Sequence, residues 1–381
     1  MRDESDEALC KTMKGCKPTL LFLSGASLVA QNAIAALASR RSGFHLVAMN
    51  SSATEPSLFS FDEVFIVPEV LDATTAFSQA FERVVQMTSP DLVIPGRDDD
   101  VIFLAGLRDR SPRDKPETLT GSYSAALAMV NKLESWRFCQ AHGLPFAATI
   151  DCCSEPDAVR DFAARHRYPL ICKPIRGFAS NDVTVILDNS QLERVVGRAG
   201  HMLQEYLGRT EDVWAYQRRL ASEGFPLFHS FEQVKISIQL FLDPGGNLIS
   251  SLVTRNVMKR GRSESVERVD DAHAEALGLR CAEAFSAEGW RGPINIQCHE
   301  TAPGSLGIYE FNGRFTGATS ARYLMGYDEV GMALKYFAGL DTAEVRNASN
   351  VVRVLRLPAS RALDGTKLDQ LVSDGYWRME T

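Results

Sequence analysis

The chain has 381 residues, 45% of them hydrophobic and 23% charged, with a formal net charge of −7. That length exceeds one small core and suits two or three packed subdomains. A net acidic chain lacks the basic face that nucleic-acid binding needs, and no apolar run reaches the roughly 18 residues required to span a bilayer.

The first residues, MRDESDEALCKTMKGCKP, are mixed in charge and lack the apolar segment of a secretory signal, so residues 1–18 read as a flexible tail and the protein as cytoplasmic. Eight cysteines are present, at 10, 16, 139, 152, 153, 172, 281 and 298, and none are spaced CxxC. In a long chain of this kind they read as reduced thiols and not as a zinc site. TLLFLSG is a buried parallel strand that leads through a tight turn into the helical SLVAQNAIAALASRR. FHLVAMN, FDEVFIVP and DLVIPG continue the strands, with a helix from Thr74 to Met87, so the segment is a doubly wound α/β unit. SGASLVAQ lacks GxGxxG spacing and reads as a plain strand-to-helix connection.

From Ser122 the pattern changes. SYSAALAMVNKLESWRFCQAHGLP has the period of one helix and stops at Gly143 and Pro145. AATIDC, a helix over Glu155 to Arg167, PLICKPI, VTVILD and HMLQEYL then make a small α+β subdomain. VKISIQLFLD-PGGN-LISSLVTRNVM is a β-hairpin, and KRGRSESVER after it is a basic, polar stretch. A helix over Asp271 to Glu288 precedes the strands INIQCHE and IYEFN, while Glu211 to Glu232 reads as an insertion.

Chemistry concentrates in the last two strands. Their short Pro-Gly turn makes them antiparallel neighbours, and alternation puts Glu310 and Asn312 on one face with Gln297 in reach. Oxygen donors of this kind suit a hard cation such as Mg²⁺, and Arg314 follows where a guanidinium can hold a phosphoryl group. Lys173 ends an apolar strand, where a solvated lysine is out of place; before a glycine-containing loop it suits nucleotide phosphates. Lys132 lies on a helix and carries a weaker signal.

With these residues in view, the chain resembles the ATP-grasp enzymes, in particular the carboxylate–amine ligases related to the carbamoyl phosphate synthase large chain. YEFNGRFTGATS resembles the family's metal and phosphate motif, ICKPIRGFASNDV its strand and lid loop, and QEYLGRTE its adenine hinge. Gly313 stands where the family has proline, and Ala179 and Asp182 where glycines are usual. The resemblance implies an ATP-grasp fold of mixed α/β and α+β class. Its parts are an N-terminal doubly wound domain over 19–121, a linker helix and lid over 122–206, and a C-terminal antiparallel-sheet domain over 207–381. It also implies that Lys132, Lys173 and Ser180 contact ATP phosphates, that Gln204, Glu205 and Leu207 form the adenine hinge, and that Glu211 holds the ribose, with Glu232 a competitor. Glu310 would bridge two Mg²⁺ ions (Mn²⁺ substituting) with Gln297 and Asn312, and Arg314 and Arg255 would neutralise the γ-phosphoryl group.

The reaction so implied is amide or peptide bond formation from a small carboxylic or amino acid and an amine, through an acyl phosphate, with release of ADP and phosphate. The acceptor would lie near the loop 97–100 and the segment 255–262, with a homodimer as one expected assembly. A small-molecule kinase on the same fold, and more remotely a dinucleotide-binding oxidoreductase, are the alternatives.

Overall fold

The computed structural model describes residues 17–71, 74–110, 116–177, 182–224, 234–259, 262–340, 350–356 and 365–379. Strands β1 (Thr19–Phe22), β2 (His45–Asn50), β3 (Glu63–Ile66) and β4 (Leu92–Ile94) pair in parallel in the order β3-β2-β1-β4. Their continuous apolar runs follow from burial on both faces: helix Leu28–Leu37 packs on one side, and Phe77, Phe81 and Phe103 on the other. The smaller second sheet is antiparallel, ordered β5-β8-β6-β7, from β5 (Thr149–Asp151), β6 (Leu170–Pro174), β7 (Thr184–Ile186) and β8 (His201–Glu205).

The third sheet is antiparallel with six strands: β9 (Val234–Leu242), β10 (Leu248–Lys259), β11 (Arg262–Arg268), β12 (Gly292–Ala302), β13 (Ser305–Asn312) and β14 (Arg353–Leu355), in the order β13-β12-β9-β10-β11-β14. One face buries Ile238, Leu240, Ile294 and Ile296 against helix Ala272–Ala287, where Gly278 lets the backbone approach Ile238. The other face carries polar residues and looks into a cavity.

Four features differ from the sequence reading. The helical run from Ser122 is two helices, Tyr123–Val130 and Lys132–Ala141, broken at Asn131. Asn131 is extended, and its side chain accepts the Leu133 and Glu134 amides at 3.0 and 3.2 Å, so an N-cap outcompetes continuation. The polar stretch after the hairpin is strand β11, whose Val266 is fully buried against Ala321 and Met325. Asp98, Asp99 and Asp100, read as a loop, form the first turn of helix Asp98–Arg110, where carboxylates favour the helix dipole. The chain end does not stay with the third sheet: β15 (Tyr376–Arg378) adds antiparallel to β3, with Trp377 buried against Phe59. No helix among the described residues is long and apolar enough to cross a membrane.

Candidate functional site

The second and third sheets, with a helix start and a loop of the N-terminal domain, line a half-open cavity of about 750 Å³. Its floor is set by register. Gln297 pairs with Ser237 on β9 and with Glu310 on β13, and Asn295 pairs with Gln239 and Asn312. Glu310, Asn312 and Gln297 therefore share one wall, as alternation implied. A bulge follows: Gln297 opposes Glu310 but Cys298 opposes Ile308, which leaves Tyr309 as the extra residue. Both Tyr309 and Glu310 line the cavity as a result, against simple period two. The Tyr309 hydroxyl donates to Gln297 Oε1 at 3.0 Å, and its ring stacks on His299 at 5.0 Å between centroids.

Two lysines enter from the side of the second sheet. Lys173, on β6, is buried with Nζ 3.4 Å from the Tyr309 carbonyl, which accepts its hydrogen bond, and 5.6 Å from the Tyr309 ring centroid. Burial, then the neighbouring Lys132 cation, lowers its pKa to about 7 against the pull of Glu310. Lys132, in the first turn that Asn131 caps, is also buried; its Nζ donates to the Gly177 carbonyl at 3.1 Å and lies 3.8 Å from Glu310. Its backbone amide donates to the Ile175 carbonyl, so both ends of this residue tie the helix to the segment that follows β6. A third lysine, Lys235 on β9, donates to Gln297 Oε1 at 2.8 Å; burial lowers it to about 8. Burial and the Lys235 cation hold His299 at about 4, so its ring is neutral at physiological pH.

The N-terminal domain closes the far end. Arg314 is buried, and its Nε donates to Asp98 at 2.7 Å, bridging the motif after β13 to helix Asp98–Arg110. That helix is anchored by Asp100, fully enclosed, which accepts the Gly96 and Arg97 amides at 3.0 and 2.8 Å and the Ser24 hydroxyl at 3.1 Å. Burial raises its pKa to about 6 in spite of those bonds. Gly96 is required here, because a Cβ would sit 2.5 Å from the Leu23 carbonyl and 2.6 Å from Ser27 Oγ. The close approach lets Ser27, Leu28 and Val29, the capped start of helix Leu28–Leu37, line the cavity beside Asp98. Behind Arg314, the buried Arg322 donates to Glu329 and to the hydroxyls of Thr316 and Thr319, while Gln239 donates to Glu329 at 2.7 Å.

The cavity thus brings together Lys132, Lys173, Gln204, Glu205, Leu207, Gln297, Glu310, Asn312 and Arg314. Gln204 and Glu205 have committed side chains. Gln204 donates to Thr149 Oγ1 at 3.0 Å, and Glu205 accepts the Ala148 amide at 2.9 Å. Leu207 packs on Gly307, where a Cβ would meet it at 2.7 Å. Two predicted residues are not brought in. Arg255 is exposed on β10, on the face opposite its cavity-lining neighbour Asn256, because alternation turns it away. Glu211 is exposed in the first turn of helix Thr210–Glu223 and does not line the cavity. Ser180 and Glu232 lie outside the described residues. Asp182, in a glycine position, adopts φ 56 and is held by Arg198 and by His201 at 2.8 Å.

Lys235 and Asn295 were missed, though the signal was present: each is a polar residue on alternate positions of an otherwise apolar strand, the same anomaly that marked Lys173. Asn256 carried none, because it sits beside Arg255 in a strand with polar residues on both faces. Tyr309 and Ser27 carried no such signal, since a bulge and a close glycine packing put them there.

The donor set fits a hard cation. Among the described residues no cluster of three His, Cys, Asp or Glu forms a transition-metal cage. The Glu310 carboxylate and Asn312 amide are oxygen donors, and the buried Nδ2 of Asn312 has no protein hydrogen-bond partner, so the amide head is not committed elsewhere through that atom. Asn256 Oδ1, across from Lys235 on the same sheet, is also buried without a hydrogen-bond partner.

The architecture is that of a parallel α/β domain followed by two antiparallel sheets that clamp a cavity. No protein-family model and no curated protein matches the sequence. Solved structures do. An N5-carboxyaminoimidazole ribonucleotide synthetase, solved as its ADP complex, matches with a TM-score of 0.63 at 13% identity, over 85% of this chain and 78% of that one. A biotin carboxylase from Campylobacter jejuni, in a β-γ-ATP complex, matches with a TM-score of 0.59 at 15% identity, over 86% of this chain and 72% of that one. An L-amino acid ligase from Bacillus licheniformis gives a TM-score of 0.59 at 14% identity, over 85% and 74% of the two chains. This chain has the ATP-grasp fold.

Proposed function

We propose that the protein is an ATP-dependent carboxylate–amine ligase working through an acyl phosphate. The observation that carries this reading is the convergence of Lys132 and Lys173 from the lid side with Glu310, Asn312 and Arg314 on the facing wall of one cavity. The apolar end, with Ile171, Val185 and Leu207, suits a nucleobase against the 204–207 backbone, and the lysines suit its phosphates. Glu310 and Asn312 would hold magnesium, which when bound draws charge from the phosphoryl oxygens.

Arg314 supplies fixed positive charge where the γ-phosphoryl group would lie, and Asp98 keeps it aimed. A carboxylate oxygen takes the γ-phosphoryl group and ADP departs. The amine nitrogen then bonds to the acyl carbon, phosphate leaves with the C–O bond pair, and the nitrogen loses a proton. The acid is expected beside Ser27, Asp98 and Arg314, at the end the N-terminal domain closes. An acyl phosphate hydrolyses in water, so this reaction requires the cavity to be screened from solvent while the intermediate lasts.

The test replaces the amine by hydroxylamine, small enough to need no pocket, across a panel of carboxylic acids. Hydroxamate with ADP and phosphate is expected for the correct acid. A stable phosphorylated product would make the protein a kinase, and AMP release would refute γ-phosphoryl transfer.

A further inference from the structure

We propose that Lys235 takes the place of a metal ion beside Gln297, so that this site loads its nucleotide with one divalent cation, held by Glu310 and Asn312, and not with two. The inference rests on the reading of the cavity as a nucleotide site and concerns how its charge is supplied.

Two ions bridged by Glu310 would need Gln297 as a ligand through Oε1, its only acceptor atom. A carboxamide oxygen has two lone-pair directions. Both are occupied here: Lys235 Nζ donates at 2.8 Å and the Tyr309 hydroxyl at 3.0 Å. Magnesium must sit at about 2.0–2.1 Å from each ligand oxygen, in a near-octahedral shell, so it cannot share a direction with either donor. Displacing the tyrosine would still leave an ammonium on the same oxygen, and two cations so close repel strongly.

Both donors are fixed by the fold. Lys235 stands two residues before Ser237, the β9 partner of Gln297, so it rises on the same face beside it. Tyr309 is brought to that face by the β13 bulge. Neither depends on the lid. Lys235 also lies within the electrostatic reach of Glu310, so its charge belongs to the same cluster. The oxygens left uncommitted by these bonds, on Glu310 and Asn312, are enough for one magnesium, which commonly uses one or two protein ligands and completes its shell with phosphate and water. The ammonium then does part of the work of a second ion: it is a point charge on the floor of the cavity that requires no loading from solution.

The count is measurable without turnover. Mn²⁺ is titrated into the full-length protein holding an equimolar amount of the non-hydrolysable analogue AMP-PNP, and bound metal is read from the loss of the free-ion EPR signal. Wild type should saturate at one Mn²⁺ per chain. Lys235→Met removes the ammonium and leaves Gln297 in place, and it should take up a second Mn²⁺. Tyr309→Phe frees the other lone pair but keeps the ammonium, and it should remain at one. Two ions in wild type would overturn the proposal. So would a single ion in a folded Lys235→Met protein that still binds the analogue, or a second ion in Tyr309→Phe. Failure of wild type to bind AMP-PNP at all would instead refute the nucleotide site on which the inference rests.

Discussion

Lys173→Met separates what the buried lysine does to the free protein from what it does for the nucleotide, because the two effects have opposite signs. An exposed lysine titrates at about 10.4, whereas burial and Lys132 hold Lys173 at about 7. Between about pH 7 and about pH 9 the unfolded chain therefore binds nearly one more proton here than the folded chain. Stability rises with pH wherever the unfolded state binds more protons, so the stability of the free protein climbs by about 2 kcal/mol across that window as the buried ammonium loses its proton. A triphosphate does the reverse. Its charge favours the ammonium, so binding above about pH 7 takes up a proton and affinity falls, by at most about tenfold per pH unit. Methionine keeps the apolar stem and has no proton to lose. Urea unfolding at several pH values should show wild-type stability climbing relative to Lys173→Met by that amount. Calorimetry in buffers of different ionisation heat should show proton uptake on ATP binding that is larger in wild type. Lys235, lowered to about 8, contributes a smaller step that persists in the variant and cancels in the comparison. Parallel stability curves for the two proteins would refute the reasoning and make Lys173 an ordinary structural lysine.

Three other outcomes are expected. Glu310→Gln should fold normally and lose turnover by about 10²–10³-fold, since the charge it provides acts on the reacting phosphoryl group; circular dichroism and an ADP-release assay check both halves. Glu211→Ala should leave ATP affinity within about twofold of wild type, because this exposed side chain does not line the cavity; a tenfold loss by calorimetry would restore it as a ribose ligand. Gly313→Ala should destabilise by about 1–3 kcal/mol in urea unfolding, because a Cβ would lie 2.7 Å from the Met129 sulfur and the Trp290 ring; unchanged stability would show that this packing yields freely.

What the sequence determined by itself was whatever depends on neighbours along the chain. Continuous apolar runs separated by helical periods specify the parallel sheet, since strands covered on both faces have no polar side to show. A short turn between INIQCHE and IYEFN makes them antiparallel, and alternation alone puts Glu310 and Asn312 on one face. Lys173 could be singled out because an ammonium at the end of an apolar strand has no solvent to face. The tertiary structure decided what depends on register and approach. The residue that puts Tyr309 beside Glu310 is a bulge, which period two cannot express. Asn131 ends one helix and caps the next, and that break is what turns Lys132 inward. Arg255 and Asn256 are adjacent polar residues, and only strand pairing says which one meets the cavity. Asp98 reaches Arg314 across 216 positions of sequence because Gly96 lets two backbones touch. Lys235 belongs between the two cases: its place in an apolar strand was visible, but its hold on Gln297 exists only once β9 and β12 are paired. Local pattern chooses the face on which a side chain stands, and long-range pairing chooses what stands opposite it.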